Sequence, residues 1–90
     1  MEDDPRARFR YLVEGRRSPS KETEYEDFSW LIRASGDREA QSWAFIVMRK
    51  SLMRYKDLRI VRLSEHGCTA SLTFKSDRVF DFKSESEKSI

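Results

Sequence analysis

The run Trp43-Ala44-Phe45-Ile46-Val47-Met48 is the longest apolar stretch in the chain, and it passes directly into Arg49-Lys50-Ser51-Leu52-Met53-Arg54-Tyr55. A run this apolar has to be covered, and 90 residues offer little else to cover it with. A chain of this length buries only about two-thirds of the surface its unfolded form exposes. It is therefore read as one domain at most, and self-association into a shared core would relieve its marginal stability. Six apolar residues also fall far short of the roughly 20 that a membrane-spanning helix needs, so no membrane role is expected.

Around that run the pattern predicts a helix over 38–55. Asp37 supplies a start signal, and neither Gly nor Pro interrupts the segment. Ala40, Trp43, Ala44, Val47, Met48 and Ser51 then form the buried face, widened by Phe45 and Leu52, while Ile46 and Met53 fall on the far side. The rival reading is a central strand over 43–48, since a strand buried on both faces is apolar throughout.

Upstream, Asp4-Pro5 carries the signature of a helix start and Gly15 that of a helix stop, with Phe9, Leu12 and Val13 at helical spacing. Helix is favoured for 5–14, against a strand in which Phe9, Tyr11 and Val13 alternate with their neighbours. Ser18-Pro19 opens a second predicted helix, acidic in its first turns (Glu22, Glu24, Glu26, Asp27) and striped by Tyr25, Phe28, Leu31 and Ile32 to about Ala34. Downstream the period becomes two. Leu58–Glu65 and Cys68–Phe74 flank His66-Gly67, a two-residue hairpin signal that sets Leu63 opposite Ala70 and Val61 opposite Leu72. A third strand, Arg78–Phe82, is expected beside the second, with Phe80 next to Leu72 and Phe82 next to Ala70, all on one apolar face. The expected fold class is α+β: two or three helices followed by a three-stranded antiparallel β-meander, one small domain over 5–82. Residues 1–4 and the Ser/Glu/Lys-rich 83–90 are expected to be flexible.

Charge is uneven along the chain. The net +2 is too small to argue for nucleic acid by itself. Residues 18–40 hold three basic and six acidic groups, whereas residues 41–62 hold six basic groups against Asp57 alone. The basic segment is the candidate contact surface: Arg49, Lys50, Arg54, Lys56, Arg59 and Arg62, with Tyr55 beside them. Lys50 and Arg54, one helical turn apart, would share a face. Cations at a helix C-terminus also complement its dipole, which accounts for some of them without any partner. Trp30, next to Leu31 on the acidic helix, is the candidate anchor for a protein partner.

Little in the chain points to catalysis. His66 and Cys68 cannot complete a four-ligand zinc site, and a hairpin there separates them as a nucleophile pair. Carboxylates at helical spacing, Glu22/Glu26 and Glu24/Asp27, read as a solvated face. Gly15, Gly36 and Gly67 are isolated, so no phosphate-cradling loop exists. Arg16-Arg17-Ser18-Pro19-Ser20 matches a phosphorylation site in outline. The lone Cys68 and the absence of a secretory leader at Met1-Glu2-Asp3-Asp4 point to a reducing intracellular compartment, cytoplasm or nucleus. The expectation is a non-enzymatic regulatory or adaptor domain, without cofactor, metal or small-molecule substrate, working through a protein partner or as a homodimer. The alternative is a nucleic-acid-binding protein whose helices and hairpin resemble, in outline, a winged-helix arrangement, using residues 49–62.

Overall fold

From Phe9 onward, side chains alternate between a buried and an exposed environment, and that period of two organises most of the chain. The computed structural model describes residues 9–19, 24–63 and 70–82. They form β1 (Phe9–Ser18), β2 (Glu26–Ala34), α1 (Asp37–Ser51), β3 (Arg54–Leu63), β4 (Ala70–Ser76) and β5 (Phe80–Asp81). All five strands join one antiparallel sheet, ordered β2-β1-β3-β4, with β5 pairing β3.

The helix-rich expectation is overturned: the described residues form one helix, α1, and the described parts of both segments read as helices ahead of it, 9–14 and 26–34, are strands. In β1, Tyr11 and Val13 are buried while Arg10 is exposed. In β2 the inward positions are Phe28, Trp30, Ile32 and Ala34, and Leu31 points outward at 68% exposure. An outward Leu31 beside an inward Ile32 imitates a helical stripe, which is why the spacing misleads. A winged-helix outline needs helices where β1 and β2 are strands. The Asp4-Pro5 start signal, the His66-Gly67 turn and both flexible-end expectations lie outside the described residues.

Gly15 is no helix stop. It sits in β1 where β3 bulges, and an added Cβ there would come within 3.0 Å of both Leu58 Cδ2 and the Lys56 carbonyl oxygen. The bulge places Asp57 in the left-handed region at φ 54°. It also lets Tyr55, Leu58 and Ile60 all turn toward the helix side, where they are buried.

The helix begins where the sequence indicates. Ala40 N–H donates to the Gly36 carbonyl at 3.0 Å, and Glu39 Oε1 accepts from the Ser35 N–H at 2.6 Å and from Ser35 Oγ at 2.8 Å. This is half of a capping box, displaced by one residue. It stops at Ser51, short of the expected Tyr55, with Leu52 in the left-handed conformation at φ 57°. Its buried line is Ala40, Ala44 and Met48, and Phe45 packs edge-on against Phe74 of β4 and Phe80 of β5. Trp43 and Val47, expected inside, are 49% and 39% exposed. Small Ala40 and Ala44 let the helix lie close on the sheet, so the flanking large residues ride up its side.

Leu63 does lie opposite Ala70 and Val61 opposite Leu72, as the alternation predicts. The third strand does not follow. β5 pairs Arg54 and Tyr55 of β3, continuing the edge line of β4 instead of adding a strand beyond it. Phe74, Phe80 and Phe82 consequently belong to the helix side, while Val61 and Leu72 share the opposite face.

Candidate docking surface

The basic segment does not come together as one patch. Arg49 and Lys50 are exposed in the last turn of α1, whereas Arg54 is in β3 and bridges Asp81 at 3.2 Å. The helix ends between Lys50 and Arg54, so the expected shared face does not form. Tyr55 is wholly buried against Phe28, Trp30 and Phe82, and its hydroxyl shares a hydrogen bond with Ser51. A contact role for Tyr55 is corrected accordingly. Lys56 caps the ring of Tyr25 at 4.2 Å, and Arg59 bridges Glu14 at 3.4 Å. Arg62 approaches Asp37 at 3.9 Å and covers the Phe9 ring. Most of the surplus is thus answered locally by an acid or an aromatic face.

The acidic group is answered as well. Glu26 and Asp27 point to opposite faces of β2, each meeting its β1 neighbour across the strand pair: Arg17 to Glu26 at 3.2 Å and Arg16 to Asp27 at 3.3 Å. The expected helical pair Glu24/Asp27 does not arise, since Asp27 is in a strand, and Glu22 lies outside the described residues. Ser18 is wholly buried at the end of β1, so its hydroxyl is not presented for modification. Ser20, His66 and Cys68 lie outside the described residues. Among the described residues no group of three or more His, Cys, Asp or Glu side chains converges on a metal position. A shallow depression of about 480 Å³ above Gly15 is lined by Glu14, Arg16, Asp57 and Arg59 among others. Two of its acids are already bridged, to Arg16 and Arg59.

Tyr11 is a strongly perturbed ionisable group. Tyr11 is pushed up from 10.0 to about 12, first by burial, then by its hydrogen bond to Asp37 and the charge of that carboxylate, with Arg62 opposing. The Tyr11 hydroxyl donates to Asp37 Oδ1 at 2.8 Å and so ties the central strand to the first turn of α1. It thereby serves to hold the helix against the sheet.

Among the described residues the exposed large apolar side chains are Leu31 of β2, Trp43, Ile46 and Val47 of α1, and Leu52, Leu72 and Val79 elsewhere. Trp30 turns inward and is half-buried, 4.8 Å from Phe28 and 6.1 Å from Tyr55 between ring centres. Ile32 lies beside it on the same face, also half-buried. Helix geometry places Trp43 and Val47 on the flank opposite Phe45. Since Phe45 leans on β4 and β5, that second flank lies on the β2 side, whereas Ile46, 41% exposed, points away from the sheet. β2 is also the end strand of the sheet order. An edge backbone and the apolar flank of the helix therefore lie on the same side of the molecule. Sequence reasoning singled out Trp30 but missed Trp43 and Val47. The alternation Phe28-Trp30-Ile32-Ala34 was the signal that would have revealed an edge strand.

The face of the sheet away from α1 carries a second apolar surface, exposed at its two ends, Leu31 and Leu72, and buried at Val61. Pairing runs Leu31, Leu12, Val61 and Leu72 across all four main strands as one apolar row. Arg33 and Arg10 border it on one side, and Arg59 and Lys75 on the other. Among the described residues no helix is long and apolar enough to cross a membrane. No protein-family model, curated protein or solved structure matches the chain.

Proposed function

We propose that the protein is a non-enzymatic regulatory or adaptor module that binds an extended protein segment along the β2 edge, beneath the exposed flank of α1. The observation that carries this reading is the coincidence of two surfaces that no described residue covers. β2 is a nine-residue end strand with the apolar centre Phe28-Ser29-Trp30-Leu31-Ile32. Edge strands of that length are ordinarily blunted, because their free N–H and C=O groups template another chain. Beside it stand Trp43 and Val47, which an incoming strand would cover. Main-chain pairing would supply affinity, and alternate side chains under the helix flank would supply selectivity.

Selection of displayed random peptides on the folded chain, followed by amide chemical-shift mapping, tests it. The expected ligands are alternating apolar sequences that shift the amides of 26–34 and 43–47. Ligands that map elsewhere, or none at all, would remove the reading.

Nucleic-acid binding has one feature in its favour. The face opposite α1 gathers Arg10, Arg16, Arg33, Lys56, Arg59 and Lys75 against Glu14 and Asp27. Its apolar row is Leu and Val, however, and offers no aromatic platform for stacking bases. Such binding would rest on phosphate contact and would weaken steeply with salt.

A further inference from the structure

The sheet has two edges, and they differ. On the β4 side, Thr73 is squeezed out of register between the Ile60–Phe74 and Val61–Leu72 pairs, and residues 77–79 separate β4 from β5. Bulges and breaks of this kind obstruct an incoming strand. β2, by contrast, keeps register with β1 from Arg17–Glu26 to Phe9–Ala34 without a shift.

We infer that the β2 edge is occupied by β2 of a second copy of this chain, antiparallel, across a twofold axis at Trp30. The inference rests on the interaction reading above and names its partner. Residues directly opposite in an antiparallel pair point to the same face, so a twofold axis normal to the sheet must pass through a residue position. Trp30 is the midpoint of Glu26–Ala34, and only that centre pairs all nine residues. On the face away from the helices, Asp27 of each copy then meets Arg33 of the other, and Ser29 meets Leu31. On the helix side, Phe28 meets Ile32 and Trp30 meets its own counterpart. Two cross-strand pairs of opposite charge result.

Neighbouring registers lose this match. Centring on Leu31 sets Arg33 against Ser29 and carries Asp27 past the end of the strand. Centring on Ser29 sets Asp27 against Leu31 and Glu26 against Ile32. Asp27 is well placed for the role, since its side chain is 88% exposed and its single bridge, from Arg16, engages only Oδ1. The axis also leaves both helices on the same side of one continuous sheet. Their Trp43 and Val47 flanks then face each other over the seam, where two exposed apolar side chains of each α1 meet in an isologous contact.

Sedimentation equilibrium of the full chain and its charge variants tests this. The wild type should have twice the chain mass at micromolar concentration. Asp27→Arg alone and Arg33→Asp alone should each raise the dimer dissociation constant about tenfold, because each replaces two attractive cross-strand pairs by repulsive ones. The double variant Asp27→Arg/Arg33→Asp should return it close to the wild-type value, which a merely disturbed fold would not do. Circular dichroism of the diluted variants checks that each remains folded. A dimer indifferent to both reversals, or one the double variant fails to restore, overturns the inference. A wild type monomeric at every concentration overturns it too. If that monomer still binds a selected peptide along 26–34, the interaction reading survives without the second copy; if it does not, both are lost.

Discussion

Replacing Tyr11 by Phe removes one oxygen from the middle of the molecule and should cost more than most single-atom deletions. Tyr11 is fully buried, and its hydroxyl donates to the Asp37 carboxylate at 2.8 Å. Hydrogen bonds to a charged acceptor contribute about 1.5–3 kcal/mol net. Asp37 is 48% exposed and Arg62 stands 3.9 Å away, so water and that guanidinium can take up the abandoned carboxylate. The loss should therefore lie toward the lower end, about 2 kcal/mol, or roughly 8–15 °C in melting temperature for a domain of this size. The pH dependence supplies a sharper check. The phenol is raised to about 12 in the folded chain, so the folded state holds that proton more tightly than the unfolded state does. Its contribution is complete below pH 10 and is lost as pH climbs through 12, amounting to roughly 2.7 kcal/mol for a two-unit shift. Urea unfolding of wild type and Tyr11→Phe from pH 8 to 12 should show a gap that narrows above pH 10. Tyr25 and Tyr55 are present in both proteins and cancel from the difference. A gap below about 0.5 kcal/mol at neutral pH, within the range of an ordinary surface change, or one constant to pH 12, would refute the reasoning.

Gly15→Ala should destabilise by about 1–3 kcal/mol in thermal melts, because the new methyl meets two backbone carbonyls of the bulge that cannot swing aside. Leu52→Gly should gain up to about 1 kcal/mol by relieving left-handed backbone strain at the helix end, while Leu52→Val should lose a similar amount by the same assay. The two tryptophans should separate. Trp30→Ala removes a ring packed on Phe28 and Tyr55 and should cost about 2–3 kcal/mol in urea unfolding. Trp43→Ala should leave the stability of the dilute chain within about 0.5 kcal/mol, yet weaken association through the β2 edge.

How the sequence misled is itself physical. Asp37, the uninterrupted 38–51 pattern and the basic last turn identify α1 because its signals are local. The Val61/Leu72 and Leu63/Ala70 facing is legible for the same reason, since a hairpin register depends on near neighbours. β1 and β2 are not legible in that way. Gly15 looks like a terminator but is required by a bulge in β3, more than 40 residues on, where Lys56–Leu58 crowd it. In β2, Leu31 is apolar on the exposed face and disguises a period of two as one of 3.6. The end of β4 reads as a hairpin at Lys75-Ser76-Asp77, yet β3 is long enough to pair both β4 and β5, so the chain continues along it. The candidate site suffered accordingly: Trp30 was legible as unusual, but its neighbours Trp43 and Val47 looked like core until Ala40 and Ala44 were seen to bring the helix down onto the sheet.

Amide hydrogen exchange of residues 26–34, measured in dilute and concentrated protein, tests the β2 edge most directly. In an end strand alternate N–H groups point toward β1 and the others outward. If β2 is a docking edge filled by a second copy, the outward amides exchange freely when dilute and become protected on concentration, while the inward amides stay protected throughout. An exchange pattern of 26–34 that shows no alternation and no change with concentration would contradict the account.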